Sequence, residues 1–265
     1  MNKNSPLALL FNIVFLTFML APLVIICLVA FTSNGYISLP TNGFSLRWFR
    51  AIFEDSQFVD AFYLSIKLGV VSATIAILIA VPAALAFARY DFKGRSVFMA
   101  LFLSPMMVPH IVLGVAFLSF LTTIGWYGTF IGIVLSHVII VMPYALRLVL
   151  SSVVGLDQRA EKAAVSLGAS NWVVFRHVTL PMILPGVVGG WVLSFITSFD
   201  EVTMSVFVAS PSTTTLPVKM YAHITETIDP LIASLSALMI FITMAVMFLL
   251  DRFYGLDKIL VGKGK

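Results

Sequence analysis

The sequence predicts an all-α membrane protein with six transmembrane helices, and three observations carry that reading. Of its 265 residues 60% are hydrophobic and only 11% charged, and the mean hydropathy is +1.05. Soluble domains average about 45–50% apolar and about 25% charged residues, so one water-surrounded core cannot hide this much apolar surface. The charges are also spaced widely enough to leave apolar gaps of about 20 residues, the length that crosses about 30 Å of hydrocarbon. Ten-residue segments of alternating hydrophobicity, the mark of a membrane β-barrel, are absent. The net charge of +4 therefore reads as topology and not as nucleic-acid binding. A single cysteine, Cys27, excludes an intrachain disulfide framework and a cysteine metal cluster. Twelve Pro and 16 Gly in so apolar a chain suggest kinked, closely packed helices.

The charge gaps place the spans in one transmembrane domain over 1–265. The stretch from Lys3 to Arg47 is uncharged, and its part 7–31 forms the first span. A signal peptide is the alternative for this segment, but the apolar run is too long and lacks a clean small-residue cleavage site, which favours a retained helix. Lys67 to Arg89 encloses the second span, 65–87. The gap from Arg95 to Arg147 holds two spans, 97–122 and 129–150, divided by the turn Gly125-Trp126-Tyr127-Gly128. The fifth covers 183–209, and the sixth covers 231–250 and is closed by Asp251-Arg252.

Positive charge sets the orientation. Twelve Lys and Arg fall on one side: Lys3, Arg89, Lys93, Arg95, Arg147, Arg159, Lys162, Arg176, Arg252, Lys258, Lys263 and Lys265. Four fall on the other: Arg47, Arg50, Lys67 and Lys219. Both termini are expected in the cytoplasm. The extracytoplasmic side then carries 32–60 and 210–230, and the cytoplasmic side one conspicuous loop, 151–181.

That loop reads as a helix, an elbow and a second helix. Asp157 can cap the first helix and Gly168 can end it in a left-handed conformation. Ser170 can cap a second short helix reaching His177 and stopped at Leu180-Pro181. Ala163, Ala164 and Leu167 form a small-residue face that another protein could approach closely. An amphipathic helix resting on the membrane surface gives the same pattern.

Lys162-Ala163-Ala164, then Gly168, then Val178-x-Leu180-Pro181 resembles the E-A-A-x-x-x-G-x9-I-x-L-P signature of permease subunits of ATP-binding-cassette importers. The spacing matches throughout. One position departs: the signature's Glu falls on Lys162, and Glu161 lies one residue earlier, about 100° around the helix. The resemblance implies the MetI-like type I importer permease fold, with 151–181 as a cytoplasmic coupling loop. Glu161, Lys162, Ala163, Ala164, Leu167, Gly168, Leu180 and Pro181 would then couple the chain to an ATPase dimer. It further implies a second homologous permease, with a heterodimer favoured, a periplasmic substrate-binding protein and residence in a bacterial inner membrane. No G-x-x-x-x-G-K-[ST] loop occurs, so ATP and Mg are expected on the ATPase, and this chain is expected to be a transport subunit with no cofactor of its own.

In the fifth span, Asp200 and Glu201 place two carboxylates about 25 Å from the cytoplasmic entry. Ionisable residues within spans are costly and face protein or a water-filled cavity. They are read either as a cation-attracting element of the passage or as groups that pack against a partner helix or cap a break. The texture of Ser198-Phe199-Asp200-Glu201-Val202, of Ser104-Pro105-x-x-x-Pro109 and of Leu216-Pro217 resembles the spermidine/putrescine branch of these permeases, which implies a small cationic substrate.

Pro105 and Pro109 should kink the third span, as a gate hinge or as a static bend. His110 and His137 lack metal-ligand spacing and read as packing histidines. Arg147 is expected to snorkel to the interface, and Trp126, Tyr127, Trp172 and Trp191 to anchor there. The competing functional reading is a self-contained secondary transporter or channel driven through Asp200 and Glu201. It lacks visible inverted repeats and leaves the loop signature unexplained. An intramembrane enzyme would need an H-E-x-x-H or G-x-S-x-G motif, and neither is present.

Overall fold

The structure, a computed structural model, describes residues 6–38 and 43–254. Four of the topogenic residues, Lys3, Lys258, Lys263 and Lys265, lie outside the described residues, as does the side chain of Asp251. The described chain is almost wholly helical and divides into two compact units, one made of its described residues up to 60 and from 220 onward and the other of 61–219. Among the described residues four helices are long and apolar enough to cross a membrane, or five when one bent pair is taken as a single span.

In the first unit, α1 (Pro6–Ala30) packs along α12 (Leu231–Tyr254). The Ser234 hydroxyl donates to the Ala30 carbonyl at 2.8 Å, satisfying an orphan acceptor at the end of α1. The following chain turns back on itself through a single bridge from Thr32 to Phe44. Phe31 stacks there between Phe44 and Phe49, at 4.7 and 4.9 Å. The short helix α2 (Arg47–Glu54) buries Trp48 and Ile52. Trp48 Nε1 donates to the Asn34 carbonyl at 3.1 Å, and the Arg47 guanidinium lies 4.9 Å from the Trp48 ring centroid.

The second unit is built on α6 (Phe130–Val154) and α9 (Leu180–Phe199). Thr129 caps α6 by accepting the Gly132 N–H at 3.1 Å. The two helices run against each other along small residues spaced four apart. A Cβ on Gly186 would lie 2.7 Å from the Leu148 carbonyl oxygen and 2.6 Å from Ser152 Cβ. One on Gly190 would lie 3.3 Å from the Ala145 carbonyl oxygen. Ser194 Oγ donates to the Val141 carbonyl at 3.5 Å, and Ser198 meets His137. Residues four apart share one helix face, so this small stripe lets the backbones approach as in other close membrane helix pairs. The core adds Ala76, Ala80 and Ala84 from α3 (Ser56–Arg89).

Two of the expected spans are discontinuous. The third comprises α4 (Arg95–Leu103), a 3-10 turn at Ser104–Met107, and α5 (His110–Thr123), bent by 106°. Pro105 occupies that turn and Pro109 precedes α5, where neither needs a helical N–H. The fifth helix ends at Phe199, short of the expected 209. Residues 200–204 break it before a single turn, α10 (Ser205–Val208). Apolarity across 183–209 hid this break, whose cause is a side-chain cap described below.

The loop after α6 holds α7 (Arg159–Ser166), and α8 (Asn171–Val174) begins the next helix. The expected stop at Leu180-Pro181 does not occur. A π turn at Phe175–Thr179 joins α8 to α9 without interruption. A wider turn makes room for the Pro181 ring against the preceding carbonyl, which a regular α-turn would not.

Candidate functional site

The 151–181 loop folds around a carboxylate. Asp157 accepts the Arg159 N–H at 2.9 Å at the start of α7, and Ser170 accepts the Val173 N–H at 3.5 Å at the start of α8. Between them Gly168 takes φ +88°, a left-handed conformation that side-chain-bearing residues avoid. Nothing lies within 4 Å of a Cβ built there, so glycine is required by the backbone angle and not by space.

Glu161, in the first turn of α7, is 9% exposed. Its Oε1 lies 2.5 Å from Arg89 Nη2 and also accepts the Thr179 hydroxyl. Arg89 is the last residue of α3 and Thr179 the last of the π turn, so one carboxylate ties three elements together. Beside it opens a cavity of about 590 Å³ lined by Arg89, Tyr90, Glu161, Lys162, Asn171 and Phe175, among others. Lys162, Ala163, Leu167, Gly168 and Pro181 are exposed, with Leu167 at 90%, while Ala164 and Leu180 are half-buried. The position where the signature carries Glu thus presents a lysine outward, and the acidic group points inward.

The acidic pair of the fifth span divides in the same way. Asp200 is exposed at the end of α9, and Glu201 is 6% exposed. Glu201 Oε1 accepts the Met204 N–H at 2.7 Å, and Oε2 lies 2.6 Å from His110 Nδ1. Glu201 therefore caps the break and joins it to the first residue of α5. Close packing beside it leaves no room at Gly114, where a Cβ would meet Phe207 at 2.6 Å. His110 is a satisfied histidine whose partner is a carboxylate. His137, 1% exposed, has Ser198 Oγ 2.8 Å from Nδ1 and Ser205 Oγ 3.0 Å from Nε2. Serine hydroxyls can donate or accept, so either tautomer is satisfied. Arg147 Nη1 reaches Met106 Sδ at 3.5 Å, a contact with the bend of the third span. Among the described residues no three His, Cys, Asp or Glu come together as a metal site.

Residues 76–256 match the family described as binding-protein-dependent transport system inner membrane component. The chain belongs to that family. It is the permease of an ATP-binding-cassette importer, a transport subunit and not an enzyme. This permease is 31% identical over 239 residues to the spermidine/putrescine transport system permease protein PotC of Haemophilus influenzae, covering 90% of this chain and 93% of the relative. Its fold is that of a bacterial ABC transporter involved in import of the acidic polysaccharide alginate, with TM-score 0.76, 16% identity, and coverage of 96% of this chain and 100% of the other. A bacterial alginate ABC transporter in complex with an alginate pentasaccharide-bound periplasmic protein gives TM-score 0.71 at 17% identity, covering 93% of both chains.

Sequence reasoning singled out Glu161 and Glu201 but not the residues they meet in the permease. Arg89 reads in the sequence only as a topogenic charge and Thr179 as a loop residue, because 72 and 18 residues separate them from Glu161. His110 stands 91 residues from Glu201. No local pattern links such pairs.

Proposed function

We propose that this permease crosses the membrane six times with both termini in the cytoplasm, and that with a second homologous permease it forms the passage for a small cationic amine, a polyamine or a relative. A periplasmic binding protein delivers the substrate. An ATPase dimer, which alone holds ATP and Mg, seats against the 151–181 loop through Lys162, Ala163, Leu167 and Gly168. Closure of the dimer moves the loop and opens the passage outward, and hydrolysis returns it. The ATPase drives this exchange by binding one permease conformation better than the other.

The observation that carries the reading is the exposed, apolar and basic face of α7, supported from behind by Glu161 and jointed to the next helix at Gly168. A helix at rest on a membrane surface would have no use for so rigid a backing. The polyamine assignment is supported by the relative from Haemophilus influenzae and by the exposed carboxylate of Asp200. Glu201, already paired within the chain, gives no support to ion coupling in a self-contained transporter. The test is to purify the tagged permease from its native host and reconstitute what accompanies it. An ATPase and a second permease should co-purify and drive ATP-dependent uptake of radiolabelled putrescine. Recovery of the chain alone, with uptake driven by an ion gradient, would overturn the proposal.

A further inference from the structure

Glu161 occupies the junction of three cytoplasmic elements and is shielded from any docking partner by its burial. We propose that Glu161 is a positioning residue, an internal strut that makes α7, the end of α3 and the π turn leading into α9 move together. This rests on the coupling role given to the 151–181 loop above.

The geometry supports the strut on three counts. First, Oε1 is shared between Arg89 and Thr179, so displacement of α7 must drag both or break both contacts. Second, the two charged side chains are only 26% and 12% exposed, and a partly desolvated charge-assisted pair resists separation more than a surface pair does. Third, α7 is a helix of only eight residues followed by a glycine elbow. A helix so short has little stability of its own, so the elbow alone would let α7 swing without moving the spans. The carboxylate closes that loose joint. The π turn adds a place where the helix can change register, since such turns insert one residue into the ladder.

The experiment uses the permease with its ATPase subunits in proteoliposomes, supplied with binding protein and radiolabelled putrescine, and reads ATP hydrolysed per putrescine imported. Glu161→Gln should assemble normally by co-purification yet raise that ratio roughly tenfold, within the usual range of coupling between sites. The double reversal Glu161→Arg with Arg89→Glu should bring the ratio back toward wild type, which a general packing role would not predict. If Glu161→Gln does not assemble, Thr179→Val reads the same carboxylate through its hydroxyl partner and should raise the ratio by a smaller factor. A wild-type ratio in the assembled variants overturns the strut and leaves the importer reading standing. Wild-type vesicles that hydrolyse ATP without importing putrescine overturn the polyamine assignment, an outcome distinct from the loss of the strut.

Discussion

Replacing Glu201 separates its two capacities, as a cap and as a charge. Glu201→Ala removes the acceptor of the Met204 N–H, which belongs to a residue with no exposed surface. An unsatisfied buried donor costs about 1–3 kcal/mol. The same substitution strips His110 of its partner 2.6 Å away, a charge-assisted contact worth about 1.5–3 kcal/mol. The two are neighbours and do not add fully, so the loss should be about 2–5 kcal/mol. For a chain of this size each kcal/mol moves the unfolding midpoint by about 2–4 °C, so the midpoint should fall by roughly 4–20 °C. Glu201→Gln keeps an oxygen for Met204 and offers its amide to His110 Nδ1, so it should lose under about 1 kcal/mol. Thermal unfolding of the detergent-purified complex, followed alongside putrescine uptake, reads both. A Glu201→Ala variant that unfolds at the wild-type midpoint would refute the cap, whereas a Gln variant with wild-type stability but no uptake would show that the charge itself serves transport.

Three further substitutions follow from the same geometry. Gly186→Ala should destabilise the α6–α9 pair by several kcal/mol, because its methyl meets backbone at 2.7 Å, whereas Gly189→Ala, with a nearest atom at 3.9 Å, should be nearly silent in the same unfolding assay. Gly168→Ala is opposed by φ +88° alone and costs about 1–2 kcal/mol. It should lower uptake per ATP hydrolysed, and Gly168→Pro should abolish transport, while unchanged coupling in both would remove the elbow from the mechanism. Asp200→Asn, at an exposed position, should leave the unfolding midpoint unchanged and weaken uptake of putrescine, and identical uptake kinetics would show that this carboxylate does not attract the substrate.

What the sequence made legible was whatever has a local period or a local signature. Apolar length between charges gave α1, α3 and α6 to within a few residues at most of their ends, apart from the extension of α3 back to Ser56. Capping and elbow chemistry gave Asp157, Gly168 and Ser170. The fifth span was overextended because apolarity continues past Phe199, while the break depends on Glu201 turning back to the Met204 N–H. The stop at Pro181 failed for the converse reason: a π turn absorbs a proline that would otherwise end a helix. Arg89 with Glu161 and His110 with Glu201 are tertiary choices, and a chain read in order contains no record of which charge will meet which.

The run Gly186, Gly190, Ser194 and Ser198 has a mechanical corollary. With two backbones meshed this tightly, neither partner can slide by a fraction of a turn without atomic overlap, so α6 and α9 must travel as one stiff plank. Any deformation that admits or expels cargo is thereby displaced to places where the ladder is already interrupted, the elbow beneath Pro109 and the gap before Ser205, and fluorescent or spin probes set across those two interruptions should register the stroke while a pair set across the plank stays silent.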